Sequence, residues 1–465
     1  MLITDETICA VSTASGVGAI AIVRVAGPKA IAIVDKIFVS ANNKKRISEQ
    51  KGGTFHYGTI VDATEAIDEV VVLIYCAPHS FTGEDMVEIS CHGAEVIQFR
   101  IVQALLKNGA RMAGPGEFTR RAFANGKMDL SQAEAVADLI SSQSDAARRV
   151  ALQQLKGGLS KELHTLREKL LQLCTLLELE LDFSEEDVEF ADRTELIDIA
   201  QRADKLVTSL ANSFQAGNAI KNGVPVAIVG PTNAGKSTLL NTLLNEERAI
   251  VSDVHGTTRD AIEDTIVIKG INFRFIDTAG LRQTTDKVEQ IGIERTYDKI
   301  SKASIIMSVF DLTSADISAT ISEIDHHINR DEQKWIVVLN KVDIVSESVV
   351  EQQKQLLQKL QPTAIISISA KNRIGIDELS DMLISVSGTN VASDASIITN
   401  MRHYEALIKS HEALKRTING LQSGISGELV AMDLHEVIDE LASITGEMSS
   451  QEVLNNIFAH FCIGK

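Results

Sequence analysis

At 465 residues the chain has room for about three domains, each long enough for its own core. With 44% hydrophobic residues and a formal charge of −18 it reads as a soluble globular protein, and that acidity argues against an extended nonspecific grip on nucleic acid, which needs concentrated Lys and Arg. Five scattered cysteines without C-x-x-C spacing fit a reducing compartment, no apolar run reaches the roughly 18 to 20 residues of a membrane span, and MLITDETICA has no signal-peptide pattern, so a cytoplasmic location is expected.

Residues 1–125 mix short β-rich runs (19–25, 69–75, 86–91) with a helical stretch near 94–107, which predicts an α+β domain. From about Leu130 the pattern turns to long helices, and Leu163, Leu166, Leu170, Leu173 and Leu177 step by three and four along one face, so 126–222 reads as the first part of a helical domain. Acidic residues crowd 178–198, a run read as a solvated helix end or loop. Residues 223–387 alternate strand candidates (224–229, 264–268, 271–276, 303–310, 334–339, 364–369) with helical segments, which predicts a doubly wound, mostly parallel α/β sheet. After a polar link the chain returns to long helix from His403, making 388–465 the second helical part. The fold class is therefore multidomain α/β plus α, with the α/β domain inserted between two helical stretches that pack together.

Gly230 to Ser237 reads GPTNAGKS, a complete G-x-x-x-x-G-K-[ST] loop between the apolar run at 224–229 and a helical pattern opening at Lys236. Backbone N–H groups of Asn233, Ala234, Gly235, Lys236, Ser237 and Thr238 are placed to cradle phosphates, Lys236 to reach the β/γ oxygens, and the Ser237 hydroxyl to meet Mg²⁺. Asp277-Thr278-Ala279-Gly280 ends an apolar strand, putting a carboxylate near the metal and a glycine N–H near the γ-phosphate. Asn340-Lys341-Val342-Asp343 follows the run 336–339. The Asp343 carboxylate there can accept from the N1–H and exocyclic amine of guanine, which adenine does not offer, and Ser369-Ala370-Lys371 supplies a backbone donor for the guanine carbonyl. Order and spacing select GTP over ATP. Gly256-Thr257-Thr258-Arg259-Asp260 lies where a switch segment belongs, with Thr258 as the second protein ligand to Mg²⁺. Leu281 stands where Ras-like enzymes carry the Gln that orients the attacking water, so another polar group must do so; Asp286 and Glu289 are the nearest carboxylates.

Beyond the GTPase motifs, Ser80-Phe81-Thr82-Gly83-Glu84-Asp85, Gly114-Pro115-Gly116-Glu117-Phe118 and the terminal Phe461-Cys462-Ile463-Gly464-Lys465 resemble the tRNA modification GTPases of the MnmE (TrmE) family, within the TrmE-Era-like group. The resemblance covers nearly the whole chain. It implies a Ras-like G domain at 223–387, an N-terminal folate-binding and dimerisation domain, and a homodimer. It further implies a K⁺-stimulated GTP hydrolase that, with an FAD-dependent partner of the MnmG (GidA) type, adds a carboxymethylaminomethyl group to C5 of wobble uridine in tRNA. The one-carbon carrier would be a 5-formyl- or methylene-tetrahydrofolate, held by Arg24, Glu88, Lys127 and Lys465. Those types suit it, since Arg and Lys pair with its carboxylates and Glu accepts from pterin N–H groups. By the same resemblance K⁺ is held by Asn233, Ser252, Val254 and Thr257, supplying the charge of an arginine finger, and Glu289 orients the water, which makes Lys236, Thr258, Glu289 and Asn233 the catalytic set.

Two other readings share the G motifs. A ribosome-assembly GTPase of the Era or Der kind would append an RNA-binding domain or carry a second G domain, whereas this chain continues into helices and Phe-Cys-Ile-Gly-Lys. A noncatalytic GTP-dependent scaffold would bind without turnover. Cys462 has no adjacent base and is read as a folate-pocket or structural residue, and Cys91-His92 and His326-His327 as core or solvated residues rather than metal ligands.

Overall fold

The computed structural model describes residues 6–41, 46–182, 193–247, 264–276, 300–314, 321, 324–388 and 396–465. They fall into two compact units, one of Met1–Ile140, Gln154–Gln201 and Glu412–Lys465, the other of Ser141–Gln153 and Arg202–His411. No described helix is long and apolar enough to cross a membrane.

In chain order the first unit opens with β1 (Ile8–Val11), β2 (Ile20–Ala26), α1 (Ala30–Ile37), β3 (Phe38–Ser40), β4 (Thr54–Asp62), β5 (Glu65–Tyr75), β6 (Met86–His92), α2 (Glu95–Lys107), β7 (Arg111–Met112) and α3 (Glu117–Ala124). The strands form one sheet in the order β3-β4-β5-β6-β2-β1-β7, antiparallel apart from the β1/β7 pair. Period-two alternation sends Val23, Val25, Val72, Ile74, Val87 and Ile89 into a core shared with Ile33, Val34 and Ile37 of α1 and Ile101 and Leu105 of α2. Arg24 and Glu88, one position out of phase with those residues, point to the opposite face.

Helices α4 (Leu130–Ser141), α5 (Asp145–Leu155), α6 (Gly158–Asp182), α7 (Arg193–Asn212) and α8 (Phe214–Asn222) follow. All five leucines of the predicted seam on α6 are buried. Then come β8 (Val224–Val229), α9 (Lys236–Glu247), β9 (Asp264–Ile268), β10 (Ile271–Phe275), β11 (Ile305–Asp311), β12 (Lys334–Asn340), α10 (Glu347–Gln358), β13 (Ala364–Ser367) and α11 (Ile376–Val386). Their sheet runs β13-β12-β11-β8-β10-β9, parallel except for the β9/β10 hairpin. That hairpin closes through Lys269 and Gly270, both at positive φ, the two-residue turn whose twist suits paired strands. The β8, β11 and β12 strands are apolar on both faces because helices cover both, as parallel sheets require.

The chain ends with α12 (Met401–Ser423), α13 (Gly427–Thr445) and α14 (Gln451–Ala459). Leu434, Val437, Ile438 and Leu441 line the buried face of α13, and Leu454 and Phe458 of α14 close on Leu130 and Ala133 of α4. Gly446 ends α13 in the left-handed region, where a Cβ would lie 2.7 Å from the Leu130 Cβ.

Candidate functional site

The phosphate loop is shaped by positions that exclude side chains. Gly230 has φ 136°, and a Cβ there would stand 2.2 Å from the Val309 carbonyl oxygen; Gly235 has φ 93°, and its Cβ would stand 2.2 Å from Asn340 Nδ2. Asn233 takes φ 62° at the exposed crest, and Ala234 is buried behind it. Lys236 opens α9 and folds back, its Nζ donating to the carbonyls of Gly230 at 2.7 Å and Pro231 at 2.5 Å. Ser237 is half-buried and Thr238 exposed in the same first turn. A glycine-lined turn running into a helix N-terminus is an anion cradle, so the residues present fit a phosphate chain.

One buried side chain joins this loop to the two base-pocket motifs. Asn340, at the end of β12, donates from Nδ2 to the Ala234 carbonyl at 2.8 Å, and its Oδ1 accepts from the N–H of Ala370 at 3.0 Å and of Lys341 at 2.9 Å. Thr242 of α9 donates to the Ala370 carbonyl at 2.9 Å, and Ser369 pairs with Ile374 across the turn. Lys341 sits at φ 69° with its Nζ on Asp311. Burial of Asp311 opposes ionisation, but hydrogen bonds from Lys341 and Thr313 outweigh it and hold the carboxyl below the usual range. Asp343 is exposed and accepts from Asn372 Nδ2 at 3.0 Å. Ser252, Val254, Thr257, Thr258, Asp277, Thr278, Ala279, Gly280, Leu281, Asp286 and Glu289 lie outside the described residues.

A second cluster forms on the N-terminal sheet. Arg24 of β2 and Glu88 of β6 are direct register partners, and the guanidinium meets Glu88 Oε1 through Nη2 at 2.7 Å and Nε at 3.0 Å. The same guanidinium lies 5.3 Å from the Phe81 ring centroid and 5.6 Å from that of Phe118. The chain terminus lies against it: Arg24 Nη1 donates to the Gly464 carbonyl at 3.5 Å, Ser12 Oγ donates to the same oxygen at 3.1 Å, and Gly116 N–H donates to the Cys462 carbonyl at 3.3 Å. Gly464 is required there, since its φ is 95° and a Cβ would meet the Val11 carbonyl at 2.3 Å. Lys465 is thereby held beside the Arg24–Glu88 pair. Lys127 is exposed, with Nζ donating to the Pro78 carbonyl at 3.0 Å, so it borders the 78–83 loop that carries Phe81. Among the described residues Glu88 Oε2 has only a long contact from the Tyr75 hydroxyl, 3.4 Å, and keeps capacity to accept N–H donors. A carboxylate acceptor and aromatic faces on one sheet face, with Lys127 on the bordering loop and Lys465 next to the docked Gly464, are residue types that fit a pterin-bearing, carboxylate-tailed ligand.

The sequence reading did not anticipate the ion network under this cluster. Glu117 is buried and accepts from Arg111 at 2.6 and 2.8 Å, from Arg121 at 3.1 Å and from the Gly114 N–H at 2.8 Å, while Arg121 also reaches Glu84 at 3.1 Å. Burial opposes ionisation of Glu117, yet Arg111, the Gly114 N–H and Arg121 prevail and take the carboxyl down to about 2. Burial raises Glu84 despite Arg121. Thus two acidic residues of the quoted N-terminal motifs, Glu84 and Glu117, fix loop shape. Cys462 is exposed. Cys91 is a core thiol pushed up to about 11 by burial and then Asp68, and His92 pairs with Asp68. His326 and His327 are exposed and join no ligand cluster among the described residues.

Residues 7–127 match the family model described as the GTP-binding protein TrmE N-terminus, and residues 130–462 match that of the MnmE helical domain. Among curated proteins, the tRNA modification GTPase MnmE of Bacteroides thetaiotaomicron is 53% identical over 99% of this chain and 100% of that protein. Those of Bacteroides fragilis and Flavobacterium johnsoniae are 52% and 50% identical, over 99% and 100% of this chain and the whole of each relative. Among solved structures, Aquifex aeolicus Era bound to GDP·AlF4⁻ is 26% identical over 40% of this chain and 65% of that chain, with a TM-score of 0.28.

Proposed function

Since the chain belongs to the MnmE family of tRNA modification GTPases, and is a GTP hydrolase acting in tRNA modification, we propose that it performs K⁺-stimulated GTP hydrolysis in support of wobble-uridine chemistry. The observation that carries the nucleotide reading is Asn340, whose single amide ties the phosphate loop to the Ser369-Ala370 turn, so phosphates and base are read by one rigid unit. In this reading Lys236 leaves the carbonyls of Gly230 and Pro231 for the β/γ-phosphate oxygens. Asp343 accepts from guanine, Ser237 and Thr258 hold Mg²⁺, and Asn233 with Ser252, Val254 and Thr257 holds K⁺. The monovalent ion supplies positive charge beside the β/γ bridge, the task of an arginine finger. Glu289 orients water in place of the glutamine that Leu281 displaces.

The proposal divides the chain at 1–125, 126–222, 223–387 and 388–465, the first boundary lying beside the family-model limits at residues 127 and 130. In the first segment Arg24 positions Glu88 to accept pterin N–H groups, and Lys127 and Lys465 pair with the carboxylates of a tetrahydrofolate, which supplies the one-carbon unit. Exposed Phe55, Tyr57, Val96 and Phe99 support a homodimer through this segment. The partners are tRNA and an FAD-dependent MnmG-type protein, in the cytoplasm. The test is GTP turnover in matched K⁺ and Na⁺ salts, with Asn233→Ala beside the wild type. Strong acceleration in K⁺ that the variant loses is expected; equal rates in the two salts contradict the cation mechanism.

A further inference from the structure

Helices α6 and α13 bring three metal-ligating side chains together, remote in sequence from every motif above. Cys174 is buried within the seam that holds Leu170, Leu173 and Leu177, and Glu178 follows one turn later on the same helix face. His435 reaches them from α13, beside the buried Leu434. Its Nε2 lies 3.4 Å from Cys174 Sγ and 3.0 Å from Glu178 Oε1, and Sγ lies 3.7 Å from that same oxygen.

These three separations are the edges of a coordination triangle. Tetrahedral zinc, with bonds of about 2.3 Å to sulfur and about 2.0 to 2.1 Å to nitrogen and oxygen, holds such ligand atoms roughly 3.3 to 3.6 Å apart, within about 0.3 Å of each distance observed. The donor set is equally selective. Thiolate and imidazole with a single carboxylate suit a borderline ion, whereas Mg²⁺ and Ca²⁺ take oxygen ligands. Cys174 closes the inner side while Glu178 and His435 are about half exposed, with side-chain accessibilities of 52% and 53%, which leaves the fourth position to water. Among the described residues this is the one cluster of three such donors.

We propose that α6 and α13 carry a site for one Zn²⁺ ion, ligated by Cys174 Sγ, Glu178 Oε1, His435 Nε2 and a water molecule. Coordination ionises the thiol, its proton passing to solvent. The ion clamps to each other two helices that lie on either side of residues 223–387 in sequence, and binding only the folded pair it stabilises that pair by mass action.

The experiment uses the full-length chain, stripped with a chelator and titrated with Co²⁺ and then with Zn²⁺. One equivalent of Co²⁺ is expected to produce a thiolate-to-cobalt charge-transfer band and tetrahedral d–d bands, which Zn²⁺ bleaches, and Zn²⁺ is expected to raise the melting temperature. Cys174→Ala should abolish the charge-transfer band. His435→Gln, at an exposed position that tolerates the change, should weaken Zn²⁺ binding by more than the roughly 10- to 100-fold that loss of an outer partner costs. Failure of Co²⁺ to give a charge-transfer band, or a band of unchanged intensity in Cys174→Ala, overturns the proposal. So does a Zn²⁺ affinity equal in wild type and His435→Gln, which would leave the trio a hydrogen-bonded helix contact only.

Discussion

Asn340 concentrates the nucleotide site in one residue. Replacing it by alanine leaves the buried Ala234 carbonyl and Ala370 N–H without partners, at about 2 to 3 kcal/mol in total, so GTP affinity should fall roughly 30- to 150-fold by titration with a fluorescent GTP analogue. Unchanged affinity would show that the loop holds its shape without this tie. Glu117 makes the matching prediction in the first unit. Its folded value, about 2, lies below the ordinary 4.5, so its contribution to stability is complete above the ordinary value and is lost as pH falls toward 2. Glu84, raised by burial, titrates in the opposite sense and offsets part of that loss. Amide exchange protection of β1 and β2 should therefore drop as the pH is lowered through this window. Glu117→Gln, which leaves Arg111 and Arg121 without their shared carboxylate, should cost about 3 kcal/mol at neutral pH and flatten the pH response. A pH response identical to wild type in that variant would exclude Glu117 as its source.

At the scale of elements, the parallel sheet was readable because four of its six apolar strand runs end in a motif with its own spacing. The six strand candidates at 224–369 all correspond to observed strands, and the one antiparallel strand of the mostly parallel sheet is β9, reversed by the Lys269-Gly270 turn. Pairings between distant residues were not readable. Arg24 meets Glu88 because two strands align in register, and Cys174 meets His435 because two helices pack; periodicity fixes which face a residue occupies, not which partner faces it. The proposed folate set rests on resemblance alone, since an isolated Arg, Glu or Lys carries no spacing signal. The terminal tail shows how far such a contact reaches: Gly464 docks on Ser12 and Arg24 across the length of the chain. Deleting Ile463–Lys465 should therefore weaken binding of 5-formyltetrahydrofolate roughly 10-fold or more by calorimetry, as expected for loss of a charge-assisted contact, while affinity for GTP is retained. Equal folate affinity with and without the tail would remove Lys465 from the site.

For the whole molecule, chain order itself carries meaning. Segments of the first unit lie before and after the second in sequence, and α6 and α13, drawn from either side of the G domain, pack along one apolar seam. In sequence, α6 lies before and α13 after the segment that carries the nucleotide motifs. The net charge of −18 fits a protein whose grip on tRNA is local or shared with a partner. The most direct test of the account is nucleoside analysis of tRNA from cells lacking this chain, with and without its gene restored. The account predicts loss of the carboxymethylaminomethyl group from wobble uridine and its return on complementation with the wild type but not with Lys236→Ala; persistence of the modified nucleoside in cells without the chain would contradict it.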